Sequence, residues 1–142
     1  MKKMIKKLSA VALAAALTVT TLAAGSEVKA ASHDFRNAYG RTVYTVGCTN
    51  NGGSVATSVS AFSTKHQTSA SASGTLYYYN KNGTIAYKDI SEVRENGSNG
   101  VVYVSKSAKR PANSKKTYYT TSHHTAMANY TSFPVKNLSQ YN

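Results

Sequence analysis

The chain has 142 residues, a formal net charge of +12, one Cys, no Trp and only five acidic residues. The lone Cys excludes an internal disulfide and a zinc site of the cysteine type, and the scarcity of carboxylates removes most acid–base chemistry. The length fits a single domain behind a leader.

The first 30 residues have the layout of a secretory signal peptide. Lys2, Lys3, Lys6 and Lys7 make a positive start, Leu8 to Ala24 is apolar or small without a charge, and Val28-Lys29-Ala30 puts small residues before a cut. Cleavage is expected after Ala30, with Ala24 as the alternative. The uncharged run is about 17 residues long and rich in Ala and Thr, too weak to span a bilayer well. The protein is therefore expected to be secreted and, once cleaved, not integral to a membrane. The leader carries five Lys and one Glu, so it takes four of the twelve positive charges and leaves +8 on residues 31–142. A basic extracellular domain is drawn to anionic surfaces such as wall polymers or lipid headgroups.

In the mature part, residues 31–38 are polar and read as a loose arm. Tyr39 to Cys48 alternates as a strand, with Val43 and Thr45 on one face and Tyr44 and Val46 on the other. Asn51-Gly52 marks a turn. Ser54 to Tyr79 reads as two antiparallel strands joined near Lys65-His66-Gln67. The second of these places Ala70, Ala72, Gly74, Leu76 and Tyr78 on one face. Ordinary sandwich strands are expected here, with a membrane-inserting hairpin as the alternative. Asn80 to Gly83 is a turn, Thr84 to Ile90 a strand, and Ser91 to Glu95 a helical turn. Asn96-Gly97 and Asn99-Gly100 close the next loop. Val101 to Ser107 is the most hydrophobic run of the mature chain, and Pro111 ends the strand pattern in a loop. Thr117 to Tyr130 alternates again, with Tyr118, Thr120, Ser122, His124, Ala126 and Ala128 together. The tail from Thr131 is pinned by Phe133, Val135 and Leu138. Four Asn-Gly pairs and short alternating runs predict an all-β fold, a small antiparallel sandwich or barrel of about six to seven strands. Residues 31–142 thus form one all-β domain with a loose N-terminal arm and a C-terminal tail. Few Leu and Ile but eleven Tyr predict a thin, Tyr-rich core. Cys48 reads as a buried small residue, with a Cys48-linked dimer as the other option.

The stretch from Val101 to Met127 gathers the candidate site. Two strands flanking a basic tip would form a hairpin, with Lys106, Lys109, Arg110, Lys115 and Lys116 followed by Tyr118 and Tyr119. These seven residues are the expected ligand-binding set, for an anionic envelope polymer or a lipid headgroup. His123 and His124 are strand neighbours and point to opposite faces. Neither a metal site nor a cofactor is expected from them, and no catalytic residue is assigned. A nuclease would need Glu92 or Glu95 as base, His124 as acid and Arg110 on the phosphate, and nothing in the sequence fixes their spacing.

The runs SAFSTKHQTSASA and GVVYVSKSAKRPANSKKTYYT resemble the lactococcin-972-like bacteriocins, through Phe62, His66, Val102, Tyr103, Lys106 and Tyr118-Tyr119. The resemblance covers about half of the mature chain. It implies a secreted β-sandwich that binds a cell-wall precursor and blocks septum formation. Taken together, the sequence predicts a small basic secreted β protein without enzymatic activity that binds an anionic envelope component, as a bacteriocin-like antimicrobial. A passive extracellular structural protein and a small secreted nuclease are the alternatives, and no specific nucleic-acid partner is expected.

Overall fold

The structure is a computed structural model describing residues 29–61, 68–97 and 101–142. Residues 1–28 of the expected leader, Phe62, the Lys65–Gln67 connection and Asn99-Gly100 lie outside the described residues. Among those described are nine strands: β1 Lys29–Arg36, β2 Gly40–Cys48, β3 Gly52–Ala61, β4 Thr68–Tyr79, β5 Ile85–Gly97, β6 Val101–Lys109, β7 Lys116–Ala128, β8 Thr131–Ser132 and β9 Lys136–Tyr141. They form two antiparallel sheets. The smaller has the order β1-β2-β3-β6, and the larger β5-β4-β7-β8, with β9 also paired to β7. The all-β class is as expected; the strand count is higher.

The core lies between the sheets. Tyr44, Val46, Val55 and Val59 from the smaller sheet meet Ala70, Ala72, Leu76, Ala126 and Ala128 from the larger, with Val102, Val104, Ile90 and Phe133 closing the sides. Many contributors are Ala or Val, so the sheets approach closely. Gly53 shows how closely: a Cβ there would collide with the Thr120 side chain of β7. The predicted inward face of β4 holds, since Ala70, Ala72, Leu76 and Tyr78 are all buried. The Tyr-rich core does not. Tyr44 and Tyr78 are buried, whereas Tyr39, Tyr87, Tyr130 and Tyr141 are exposed.

Several local expectations are corrected by pairing. Residues 31–36 are not a loose arm but most of β1, in register with β2 from Lys29↔Cys48 to Arg36↔Arg41. Ala31, His33 and Phe35 alternate half-buried against exposed neighbours, and Arg41 donates from Nε and Nη2 to the Asp34 carboxylate at 2.7–3.0 Å. β1 begins two residues before the expected cut, so cleavage after Ala30 retains Ala31–Arg36 of the strand, and cleavage after Ala24 retains all of it. β3 and β4 do not pair; each belongs to a different sheet, so 54–79 is not a hairpin. Ser91 to Glu95 is strand rather than helical turn, with Val93 paired to Ala72 and Glu95 to Ala70. Asn96-Gly97 extends the same strand, opposite Ser69 and Thr68.

The turns divide similarly. Asn80–Gly83 is a turn as read, with Gly83 at φ 85°, a conformation that suits Gly. Near Asn51-Gly52 the corners are Asn50 and Asn51, closed by Thr49 N–H donating to Gly52 O at 2.7 Å. The tightest reversal carries no Gly: Asn129 and Tyr130 take φ 51° and 58° between β7 and β8. The C-terminal segment is held by Phe133, 3% exposed, and Leu138, while Val135 is 58% exposed and pins nothing. Cys48 is fully buried, and burial pushes its thiol pKa up. A disulfide to a second chain would require this end of β2 to open.

Candidate functional site

The segment from Val101 to Met127 is not a hairpin. β6 pairs with β3 in the smaller sheet and β7 with β4 in the larger; the basic loop crosses between the sheets. This divides the seven predicted residues into three groups. Lys106 and Lys109 are exposed on β6, opposite Val55 and Gly52. Arg110 acts within the fold. Its Nε donates to Asn50 O at 3.1 Å and its Nη1 to Ser114 O at 2.7 Å and Ser114 Oγ at 3.1 Å. That guanidinium ties the Thr49–Gly52 turn to the crossing loop, a use for the forked donors of Arg that Lys cannot match. Lys115, Lys116, Tyr118 and Tyr119 go to the outer face of the larger sheet.

That face carries the principal surface feature. Residues paired directly across an antiparallel ladder share a face, and Tyr77 pairs with Tyr87 on β5 and Tyr119 on β7, while Tyr119 pairs with Tyr141 on β9. Tyr87, Tyr77, Tyr119 and Tyr141 therefore form one row across four strands. Tyr77 and Tyr119 stack at 4.4 Å with planes 1° apart, and Tyr119 and Tyr141 at 5.0 Å and 25°. The end rings are the most open, at 65% exposure for Tyr87 and 54% for Tyr141.

A β-bulge widens the row. The partner of Tyr78 is Thr117 and that of Tyr77 is Tyr119, so Tyr118 is an extra, unpaired residue of β7. Thr117 turns inward, and Tyr118 leaves the face on which simple alternation groups it with Thr120, Ser122 and His124. It meets Tyr119 edge-on at 4.9 Å, Tyr141 at 5.5 Å and Tyr79 at 5.2 Å. The chain end holds the bulge in place, as Asn142 N–H donates to Tyr118 O at 3.0 Å and Asn142 Nδ2 to Thr117 O at 3.2 Å. Lys116 Nζ lies 5.6 Å from the centre of the Tyr79 ring, within cation–π range. Lys115, Lys116, Tyr79 and Gly83 enclose a shallow hollow at this end. Crowding also acts on the phenols: Tyr119 has its pKa raised, first by desolvation and then by its Tyr neighbours.

Tyr77, Tyr79, Tyr87 and Tyr141 were not among the predicted site residues. The run Leu76-Tyr77-Tyr78-Tyr79 already carried part of the signal, because Tyr77 and Tyr79 must face away from Leu76. Tyr87 and Tyr141 join only through register, which the sequence does not display.

The two histidines separate as expected. His123 is exposed and shares a 2.8 Å hydrogen bond between its Nδ1 and Asn137 Oδ1. His124 is fully buried, stacked on Tyr44 at 5.1 Å and 9°, with Nε2 2.8 Å from Ser122 Oγ. Burial, and secondarily the nearby His123, lowers the His124 pKa to about 4. Tyr44 is pushed up to about 12 by burial; the Thr42 hydroxyl offsets part of this without completing a hydrogen bond. His124 Nδ1 and Tyr44 Oη are without hydrogen-bond partners among the described residues. The four nuclease candidates are not brought together, with Glu95 exposed on β5. His124 faces the core, Arg110 is engaged in the loop, and Glu92 pairs with Arg94 at 3.1 Å on the surface.

The fold and this face define a class, a two-sheet antiparallel β-sandwich that displays an aromatic row with cations at one end. The chain matches no protein-family model and no curated protein.

Proposed function

We propose that this is a non-enzymatic binding protein that docks on an anionic component of the bacterial cell envelope through the outer face of its larger sheet. The reading rests on one observation above all: Lys116 pairs with Tyr79 at the end of a cluster of six tyrosines. Stacked rings offer broad, rigid contact with little conformational entropy left to lose. The adjoining Lys115 and Lys116 supply charge for phosphate or carboxylate groups. Action outside the cell follows from the expected secretory leader, and a bacteriocin-like antimicrobial effect is what the family resemblance adds to such docking.

The test is co-sedimentation of the purified mature protein with bacterial cell walls, before and after removal of their anionic polymers. Binding is expected to require those polymers and to weaken steeply with salt. Binding that survives molar salt or stripped walls would overturn the electrostatic mechanism. Growth inhibition of related bacteria would add the antimicrobial role, and its absence would leave docking alone.

A further inference from the structure

Beside the tyrosine row lies a trough that the docking cations do not touch. Its volume is about 500 Å³, and Ser73, Thr75, Thr121, His123, Asn137 and Ser139 line it. Register explains its shape. The row next to the tyrosines is Asp89, Thr75, Thr121 and Ser139, and the row beyond contains Ser73, His123 and Asn137. Small hydroxyl side chains thus form a floor that runs from beside the tyrosine row to the His123–Asn137 pair. The lining residues come from β4, β7 and β9, two interstrand spacings or about 10 Å. That width admits one or two linked sugar rings, and the volume falls in the range of a ligand cleft.

The lining discriminates between ligands. Its hydroxyls donate and accept equally well, which suits a polyol. Asn137 Oδ1 accepts from His123 Nδ1, which in the neutral ring leaves Nε2 as an acceptor and the Asn137 amide N–H groups as donors. Among the described residues lining the trough none is Lys or Arg. The charged groups at its border are mixed: Thr75 Oγ1 donates to Asp89 Oδ1 at 3.3 Å, and Glu92 is paired with Arg94 at 3.1 Å. Glu92 nearby keeps its carboxyl pKa low, first through Arg94 and then through Ser71. A phosphate would meet no Lys or Arg among the lining side chains, whereas sugar hydroxyls can exchange hydrogen bonds with the hydroxyl floor and donate to Asp89 at its border. In the neighbouring row, Tyr141 on β9 is exposed and offers apolar surface for the C–H face of a pyranose.

We infer that the trough is a subsite for neutral sugar units, so that the envelope component engaged by this face is a sugar-bearing polymer rather than a bare polyphosphate or a lipid headgroup. The inference rests on the docking reading of the same face, and it assigns the two sides of the tyrosine row different tasks. Lys115 and Lys116 take the anionic groups; the hydroxyl floor takes the carbohydrate.

The experiment uses the ¹⁵N-labelled mature chain and two probes: a panel of neutral glucose-, galactose- and N-acetylglucosamine-built tetrasaccharides, and sugar-free poly(glycerol phosphate). A tetrasaccharide of the panel should shift the amides of Thr75, Thr121, His123 and Ser139, and molar salt should not abolish the shift. Thr75→Val with Thr121→Val keeps shape and strand preference but removes two hydroxyls, and should weaken that binding about tenfold with the rest of the spectrum unchanged. K115A/K116A should leave it intact. No trough shifts with any tetrasaccharide at millimolar concentration, or full affinity in the double Val variant, overturns the inference. If poly(glycerol phosphate) alone binds, the docking reading stands and the sugar subsite fails. If tetrasaccharide alone binds, the subsite stands and the anionic mechanism fails.

Discussion

Strand β7 takes part in two aromatic stacks, five residues apart, with opposite surroundings. Inside, His124 lies on Tyr44 with both side chains fully buried and two polar atoms without partners among the described residues. Outside, Tyr119 lies on Tyr77 at the sheet surface, with Lys116 three residues back along the strand. The inner stack fills space between the sheets, and its polar atoms are a cost that the packing must offset. The outer stack is half-buried on the sheet surface and open to solvent. Ring stacking alone therefore does not reveal a residue's task; the face of the strand does.

Removing the inner ring should have the largest effect. Tyr44→Ala leaves a cavity in the middle of the core and is expected to cost about 3–5 kcal/mol, read from urea unfolding. Acid comes next. The unfolded His124 takes up its proton near its ordinary pH of 6.5, the folded one only near 4. Between these values the unfolded chain binds more protons, so stability is full above about pH 6.5 and falls as pH drops to 4. The gap corresponds to about 3 kcal/mol. Urea midpoints across that range should follow this slope in the wild type and in His123→Gln, and lose it in His124→Gln. A slope unchanged in His124→Gln would place the acid sensitivity elsewhere.

The outer stack should respond in binding rather than stability. Lys115→Ala with Lys116→Ala should weaken docking on anionic walls by about 2 kcal/mol, at about 1 kcal/mol per cation near an anionic surface, with the urea midpoint nearly unchanged. Tyr119→Ala should cost about 1 kcal/mol of stability, the order of one aromatic pair, and lower wall binding as well. The smallest effect tests the inner orphan. Tyr44→Phe removes a hydroxyl that has no partner among the described residues, so stability should stay level or rise by less than about 1 kcal/mol.

Much of this contrast was legible in the sequence. Alternation grouped the buried face of β4, separated the two faces of β2 and set His123 against His124. What it missed depends on pairing between distant segments. Tyr118 was grouped with His124, Ala126 and Ala128 because alternation has no means of showing a bulge, and the bulge is visible only when Tyr77 and Tyr78 find their partners. The Val101–Met127 hairpin failed for a related reason. Two strands joined by a short basic loop usually pair, but here small residues such as Gly53 let the sheets approach, and the loop spans them. Arg110 looked like a ligand cation because its main partners, the backbone carbonyls of Asn50 and Ser114, are groups that composition cannot reveal. β1 was overlooked because Ala31, His33 and Phe35 make only a weak alternation, which becomes persuasive beside β2.

The central claim is that the tyrosine face is the docking surface. The most direct measurement is an amide-shift footprint of the ¹⁵N-labelled mature protein titrated with solubilised anionic wall polymer at low salt. Docking through this face predicts shifts at Tyr77, Tyr79, Tyr87, Lys115, Lys116, Tyr118, Tyr119 and Tyr141, reversed by salt at the lysines first. A footprint confined to Lys106, Lys109 and the smaller sheet, or no footprint at all, would contradict it.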